Sequence, residues 1–202
     1  GKGEAACNAL RAEGLPVRPV ELDTTSAASV TRLAEMIQQG YGSLDALVNN
    51  AGIGVDHDPM LTAADRLRRT MSVNVLGPLL LTDAMVPLLE ASGRGCIVNV
   101  SSELASFGLR SDPNWAFAGF AMPIYQASKA ALNALTLSYA GQLRDRRIKV
   151  NAICPGYTAT EATNYAGTRT PDQAAVVAIR YALLGEDGPT GSFANEQGAL
   201  PW

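Results

Sequence analysis

Residues 95–102 read Gly95-Cys96-Ile97-Val98-Asn99-Val100-Ser101-Ser102. Apart from Asn99, positions 96–100 are apolar at consecutive places, and the run stops on two hydroxyls. A strand apolar on both of its alternating faces must be covered on both, which is how the strands of a parallel sheet read. Residues 44–48 are a short apolar run of the same kind, residues 148–153 read as another strand, and residues 17–22 read as a further strand ending at Asp23. Residues 190–193 read as a short last strand. Helix-length amphipathic segments separate these runs. Residues 4–13 form one, closed by Gly14. Residues 26–39 form the next, with Ser26 as N-cap and Gly40 as stop. Residues 62–90 form a long one, interrupted near Gly77-Pro78. Residues 125–144 and 171–184 complete the set, the last with Pro171 at its first turn. Strands alternating with helices predict an α/β fold of the doubly wound, Rossmann-like kind, as one domain over residues 1–202. No repeat or interdomain linker breaks the pattern.

Composition narrows the function. The chain is 47% hydrophobic and carries a net charge of −3, as expected of a globular protein with a substantial core. A mildly acidic chain lacks the basic patch that nucleic acid or an anionic membrane requires. The arginine groups 66, 68, 69 and 144, 146, 147 are small and read as solvated helix faces. No apolar run is expected to reach the ~20 residues that span a bilayer. Cys7, Cys96 and Cys154 are odd in number and lack metal spacing, so neither a disulfide framework nor a zinc site is expected, and a reducing compartment, the cytoplasm, follows. The single His57, in a loop beside Asp56 and Asp58, cannot build a metal cluster alone.

In a doubly wound sheet, ligands bind beyond the carboxyl ends of the strands. The residues to read are therefore Asp23, Asn49 and Asn50, Ser101 and Ser102, and 155–160. Ser101 and Ser102 can point a hydroxyl into that crevice and donate to a carbonyl oxygen gaining charge, or can cap a helix, as serine often does. Asn49-Asn50-Ala51-Gly52 suits a tight approach of backbone to ligand, or a plain turn. Tyr125 and Lys129 stand at i and i+4 and share a helix face. An ammonium beside a phenol stabilises the phenolate and draws its pKa down from about 10 towards working pH. Alone, that spacing is common by chance.

The combination resembles the short-chain dehydrogenase/reductase family. The matches come in the family's order: Asp23, Asn49-Asn50-Ala51-Gly52, Asn74 within Ser72-Val73-Asn74-Val75, Val98-Asn99-Val100-Ser101-Ser102, Tyr125 with Lys129, and Pro155-Gly156-Tyr157-Thr158-Ala159-Thr160. The resemblance implies an oxidoreductase that interconverts a ketone or aldehyde and an alcohol, with Tyr125 as the proton donor in reduction. It implies that Lys129 lowers the pKa of Tyr125 and binds the nicotinamide ribose, that Ser102 orients the substrate, and that Asn74 holds a relay water. It places Asp23 at the adenine, Asn50, Ala51 and Gly52 along the ribose and pyrophosphate, and Pro155, Gly156, Thr158 and Thr160 at the carboxamide.

Two features depart from the family. Ser102 and Tyr125 stand 23 positions apart, where most members keep about a dozen. The excess, residues 106–122, resembles the carbonyl-reductase-like branch, as do Gly188-Pro189-Thr190-Gly191-Ser192-Phe193 and the closing Leu200-Pro201-Trp202. That branch implies NADP, with NAD possible, and a monomer rather than a homo-oligomer, the insertion covering a surface used elsewhere for assembly. Phe107, Trp115, Phe117, Phe120 and Tyr165 either line a pocket for an apolar carbonyl compound or pack the loops. The second departure is the missing Gly-rich phosphate loop. Gly1-Lys2-Gly3 and Gly52-Ile53-Gly54 do not replace it, lacking a strand–turn–helix setting. A strand–helix–strand unit of ~30 residues or more is therefore expected in the parent protein. The competing reading is a non-catalytic or inactive member that binds a dinucleotide or serves as a scaffold.

Overall fold

In the computed structural model, which describes residues 2–202, helices start where a side-chain oxygen meets their free backbone N–H groups. Gly1 of the Gly1-Lys2-Gly3 fragment lies outside the described residues. Helix α1 (Lys2–Ala12) comes first. Helix α2 (Ala27–Gly40) is capped by Ser26, whose Oγ accepts from Ser29 N at 3.3 Å. Helix α3 (Ala63–Met71) is capped in the same way by Thr62, and it continues through residues Ser72–Leu76 into α4 (Gly77–Ser92). The short α5 (Phe107–Arg110) and the long α6 (Pro123–Gln142) follow. Helix α7 (Pro171–Ala182) opens on a reciprocal box in which Thr170 and Gln173 satisfy each other's backbone.

The strands are β1 (Ala46–Asn49), β2 (Cys96–Val100), β3 (Lys149–Ile153), β4 (Phe193–Asn195) and β5 (Gly198–Ala199). They lie side by side in that order. The first three pairs are parallel and β5 returns antiparallel to β4. Alternation along β2 sends Ile97 and Val98 to opposite faces. Ile97 and its register partner Val150 pack with Leu81, Met85 and Leu89 of α4 and Val30 of α2. Val98 and Ile153 pack with Val177 of α7 on the other face. Helices thus cover both faces, as the continuous apolar strands require.

Four expectations need correction. Residues 17–22 form no strand, because no strand among the described residues runs beside them to complete a ladder. Gly77-Pro78 does not interrupt the long helix: Pro78 sits where a π-helical turn, Ser72–Leu76, already changes the hydrogen-bond pattern. The last strand lies at 193–195, and its antiparallel partner β5 went unread. The continuous helix Ala63–Ser92 is also apolar enough to reach bilayer length, with an 18-residue stretch of mean hydropathy 1.5. Half of that stretch is buried inside the fold, and Leu89 on it is 0% exposed, as a core helix requires.

Candidate active site

The ends of β1, β2 and β3 and the first turns of α6 enclose a cavity of about 780 Å3. Tyr125 and Lys129 project into it from one face of α6. Lys129 Nζ lies 5.7 Å from the centre of the Tyr125 ring and donates to the carbonyl of Val100, the last residue of β2, at 2.7 Å. Two residues on, Ser102 lines the same cavity as Tyr125, near enough for its hydroxyl to lower the proton affinity of the phenol. Ser102 Oγ also accepts from Leu104 N at 3.2 Å, so the same serine caps the turn Glu103–Ala105. Both readings of Ser102 therefore hold together. Ser101 faces inward and donates to Asn133 Oδ1 at 2.6 Å.

Burial sets the proton affinities. Loss of water around Tyr125 pushes its phenol up to about 12; the neighbouring Cys154 thiol adds to the rise and the Ser102 hydroxyl opposes it. Burial draws Lys129 down to about 8. The expectation that Lys129 brings the phenol towards neutrality is thus corrected. The ammonium lies over the ring, and burial is the largest influence on the phenol. Cys154 is pushed up to about 11, first by burial and then by the negative charge of Glu103.

Asn74 is 0% exposed and sits in the π-helical turn. Its Oδ1 accepts from Ile53 N at 2.8 Å, and its Nδ2 donates to Ile53 O at 2.8 Å and to Ser128 Oγ at 2.9 Å. Both amide hydrogens are committed to protein partners, so the side chain clamps the loop after β1. That loop runs close to α6. A Cβ on Gly52 would stand 3.1 Å from Lys129 Nζ, and one on Gly54 would stand 2.8 Å from Met122 Cε and 3.2 Å from the Tyr125 ring. Only glycine allows these approaches without displacing its neighbours.

The structure sorts the expected binding residues. Asn50, Gly52, Pro155, Gly156, Thr158 and Thr160 line the cavity with Tyr125 and Lys129. Ala51 is exposed beside it and does not line it. Asp23 stands apart: it is exposed, and its Oδ1 accepts from Thr25 N at 2.9 Å and Thr25 Oγ1 at 2.7 Å, which lowers its pKa. Of the aromatic residues, Trp115, Phe117 and Phe120 line the cavity, whereas Phe107 and Tyr165 point outward. Buried Asn49 and Asn99 tie β1 to β2 through a 2.8 Å bond.

Two acidic residues were missed. Glu103 lines the cavity and accepts from Asn195 Nδ2 at 2.9 Å; it follows the serines directly, but a glutamate there matches no motif. Asp56 is 7% exposed and accepts from the backbone N–H groups of Ile124 at 2.8 Å and Tyr125 at 3.1 Å. Its signal was indirect. Met122-Pro123 opens a helix without a capping side chain, so the cap had to come from elsewhere.

The family model described as short chain dehydrogenase matches residues 1–170. The chain is 34% identical to a 3-oxoacyl-[acyl-carrier-protein] reductase FabG of Thermotoga maritima, over 88% of this chain and 67% of that protein. It is 29% identical to carbonyl reductase [NADPH] 1 of Rattus norvegicus, over 100% of this chain and 85% of that protein. Among solved structures, NADPH-bound carbonyl reductase from chicken fatty liver superposes with a TM-score of 0.82 at 24% identity, covering 98% of this chain and 82% of that one. At that identity the likeness shows the fold alone.

Proposed function

The chain belongs to the short-chain dehydrogenase family, and from that premise we propose that it is an NADPH-dependent carbonyl reductase in which Tyr125 protonates the substrate oxygen. The observation that carries this reading is the meeting of Ser102, Tyr125 and Lys129 on one cavity. The relatives named for carbonyl reduction with NADPH support it, with NAD as the lesser alternative.

The residues present suit the nicotinamide end of such a cofactor. Asn50, Gly52, Lys129 and the turn at 155–160 line one wall together, and any side chain at position 52 would crowd Lys129. Lys129 would hold the ribose, and Thr158 and Thr160 the carboxamide. A reduced nicotinamide supplies the hydride, two electrons to the carbonyl carbon. The remaining work falls to the chain. Ser102 donates to the carbonyl oxygen and holds it against the phenol, where developing negative charge is stabilised. Tyr125 then transfers its proton to that oxygen. A phenol held near 12 keeps its proton throughout the neutral range, and the nascent alkoxide is the stronger base, so the transfer runs downhill. Alcohol oxidation would need the phenolate at the start, which the same burial opposes.

The substrate half of the cavity is walled by Trp115, Phe117, Phe120 and Met122, which suits an apolar or aromatic ketone or aldehyde. We place the enzyme in the cytoplasm, in keeping with its free thiols. Oxidation of NADPH and of NADH by the purified protein with a panel of aromatic and aliphatic carbonyl compounds tests the reading. Turnover that prefers NADPH and aromatic substrates is expected. Nucleotide binding without turnover on any substrate would instead make the chain a non-catalytic binding member.

A further inference from the structure

We infer that Asp56 is a positioning residue for Tyr125, fixing the first turn of α6 and with it the place of the phenol in the cavity; this rests on the reductase reading above. Helix α6 begins at Pro123, behind a Met122 that offers no side-chain cap. Proline has no N–H, so the first backbone donors in need of partners belong to Ile124 and Tyr125. The Asp56 carboxylate takes both, one on each oxygen, from a position 68 residues earlier in the chain. A carboxylate at a helix N-terminus is favoured by the two charge-assisted bonds and by the positive end of the helix dipole.

The loop that carries Asp56 also holds the ring of the same tyrosine. Gly54 lies against the Tyr125 ring, and Ile53 is bonded through both its N–H and its carbonyl to Asn74. The Asp56 carbonyl accepts from Arg66 Nη1 of α3 at 2.5 Å, which anchors the loop from the far side. One short segment thus grips Tyr125 twice, at the ring and at the backbone nitrogen. Asp56 does not line the cavity, so it acts on the reaction through Tyr125 alone. Proton transfer is steep in distance, and a displacement of about 1 Å lowers rate on the order of a hundredfold.

Asp56→Asn and Asp56→Ala test this. Asparagine keeps one acceptor but turns an N–H donor towards the other backbone N–H; alanine keeps none. We expect kcat with NADPH and an aromatic aldehyde to fall about tenfold in D56N and about a hundredfold in D56A. The NADPH dissociation constant should stay within about twofold, because the nucleotide wall is untouched. Amide exchange at Ile124 and Tyr125 should accelerate in both variants. Should D56A fold poorly, D56N carries the comparison. A kcat unchanged in the variants would overturn the inference, as would parallel losses of kcat and NADPH affinity, which mark general damage. A native protein inert towards every carbonyl would sink the reductase reading. Unchanged exchange at 124 and 125 would sink the role of Asp56 alone.

Discussion

At the scale of single residues, the site depends on how water is excluded from Tyr125 and Lys129. Lys129 is 3% exposed and titrates at about 8, so its positive charge is present below that pH and lost above it. Tyr125 keeps its proton to about 12. Because kcat/KM reports the free enzyme, reduction should weaken as pH rises through about 8, from loss of the ammonium and not of the phenolic proton. Lys129→Met should remove that limb while lowering the plateau, and a pH profile flat to 10 in the native enzyme would contradict the assignment. Ser102→Ala removes one donor to the reacting oxygen and should lower kcat by about 10²–10³, as steady-state kinetics would read. Tyr125, Lys129 and Ser102 were legible in the sequence because a helix spacing and a strand end fix where such side chains point. Asp56 was not, because its partners are backbone groups 68 and 69 positions away, and no local pattern encodes that contact.

At the scale of elements, the strands and helices that the sequence made plain are those whose partners are also in view. The run at 96–100, apolar but for Asn99, and residues 149–153, where Lys149 and Asn151 alternate with apolar residues, became adjacent parallel strands, and Ser26 capped the helix it precedes. Residues 17–22 have strand composition, yet a strand exists only through its neighbour, and none among the described residues stands beside them. The long helix hid its π-helical turn, since apolar spacing does not distinguish one hydrogen-bond register from another. That helix carries much of the core. Leu89→Ala, at a fully buried position of α4, should destabilise the fold by about 2–5 kcal/mol in denaturant unfolding. A loss under about 1 kcal/mol would mean that the core relaxes around the gap.

At the scale of the whole molecule, the doubly wound sheet gathers polar residues at its carboxyl edge while helices cover both faces. The insertion at 106–122 gives three aromatic residues to the cavity. Its start is held by the end of the chain: Ser106 Oγ donates to Pro201 O at 2.7 Å and Gly108 N to Trp202 O at 3.0 Å. Trp202 in turn stacks on Phe193 of β4. We expect a monomer in sedimentation experiments, and a stable tetramer would contradict it. The substrate wall was only half legible, because aromatic residues in a loop line a pocket or face solvent according to contacts made far along the chain. Trp115 and Phe117 took the first course and Phe107 the second. The proposed reduction requires Tyr125 as the proton donor to a carbonyl. NADPH oxidation by native protein and by Tyr125→Phe, with NADPH binding measured on both, tests it most directly. Turnover should vanish in the variant while binding persists, and turnover retained at a comparable rate would contradict the claim.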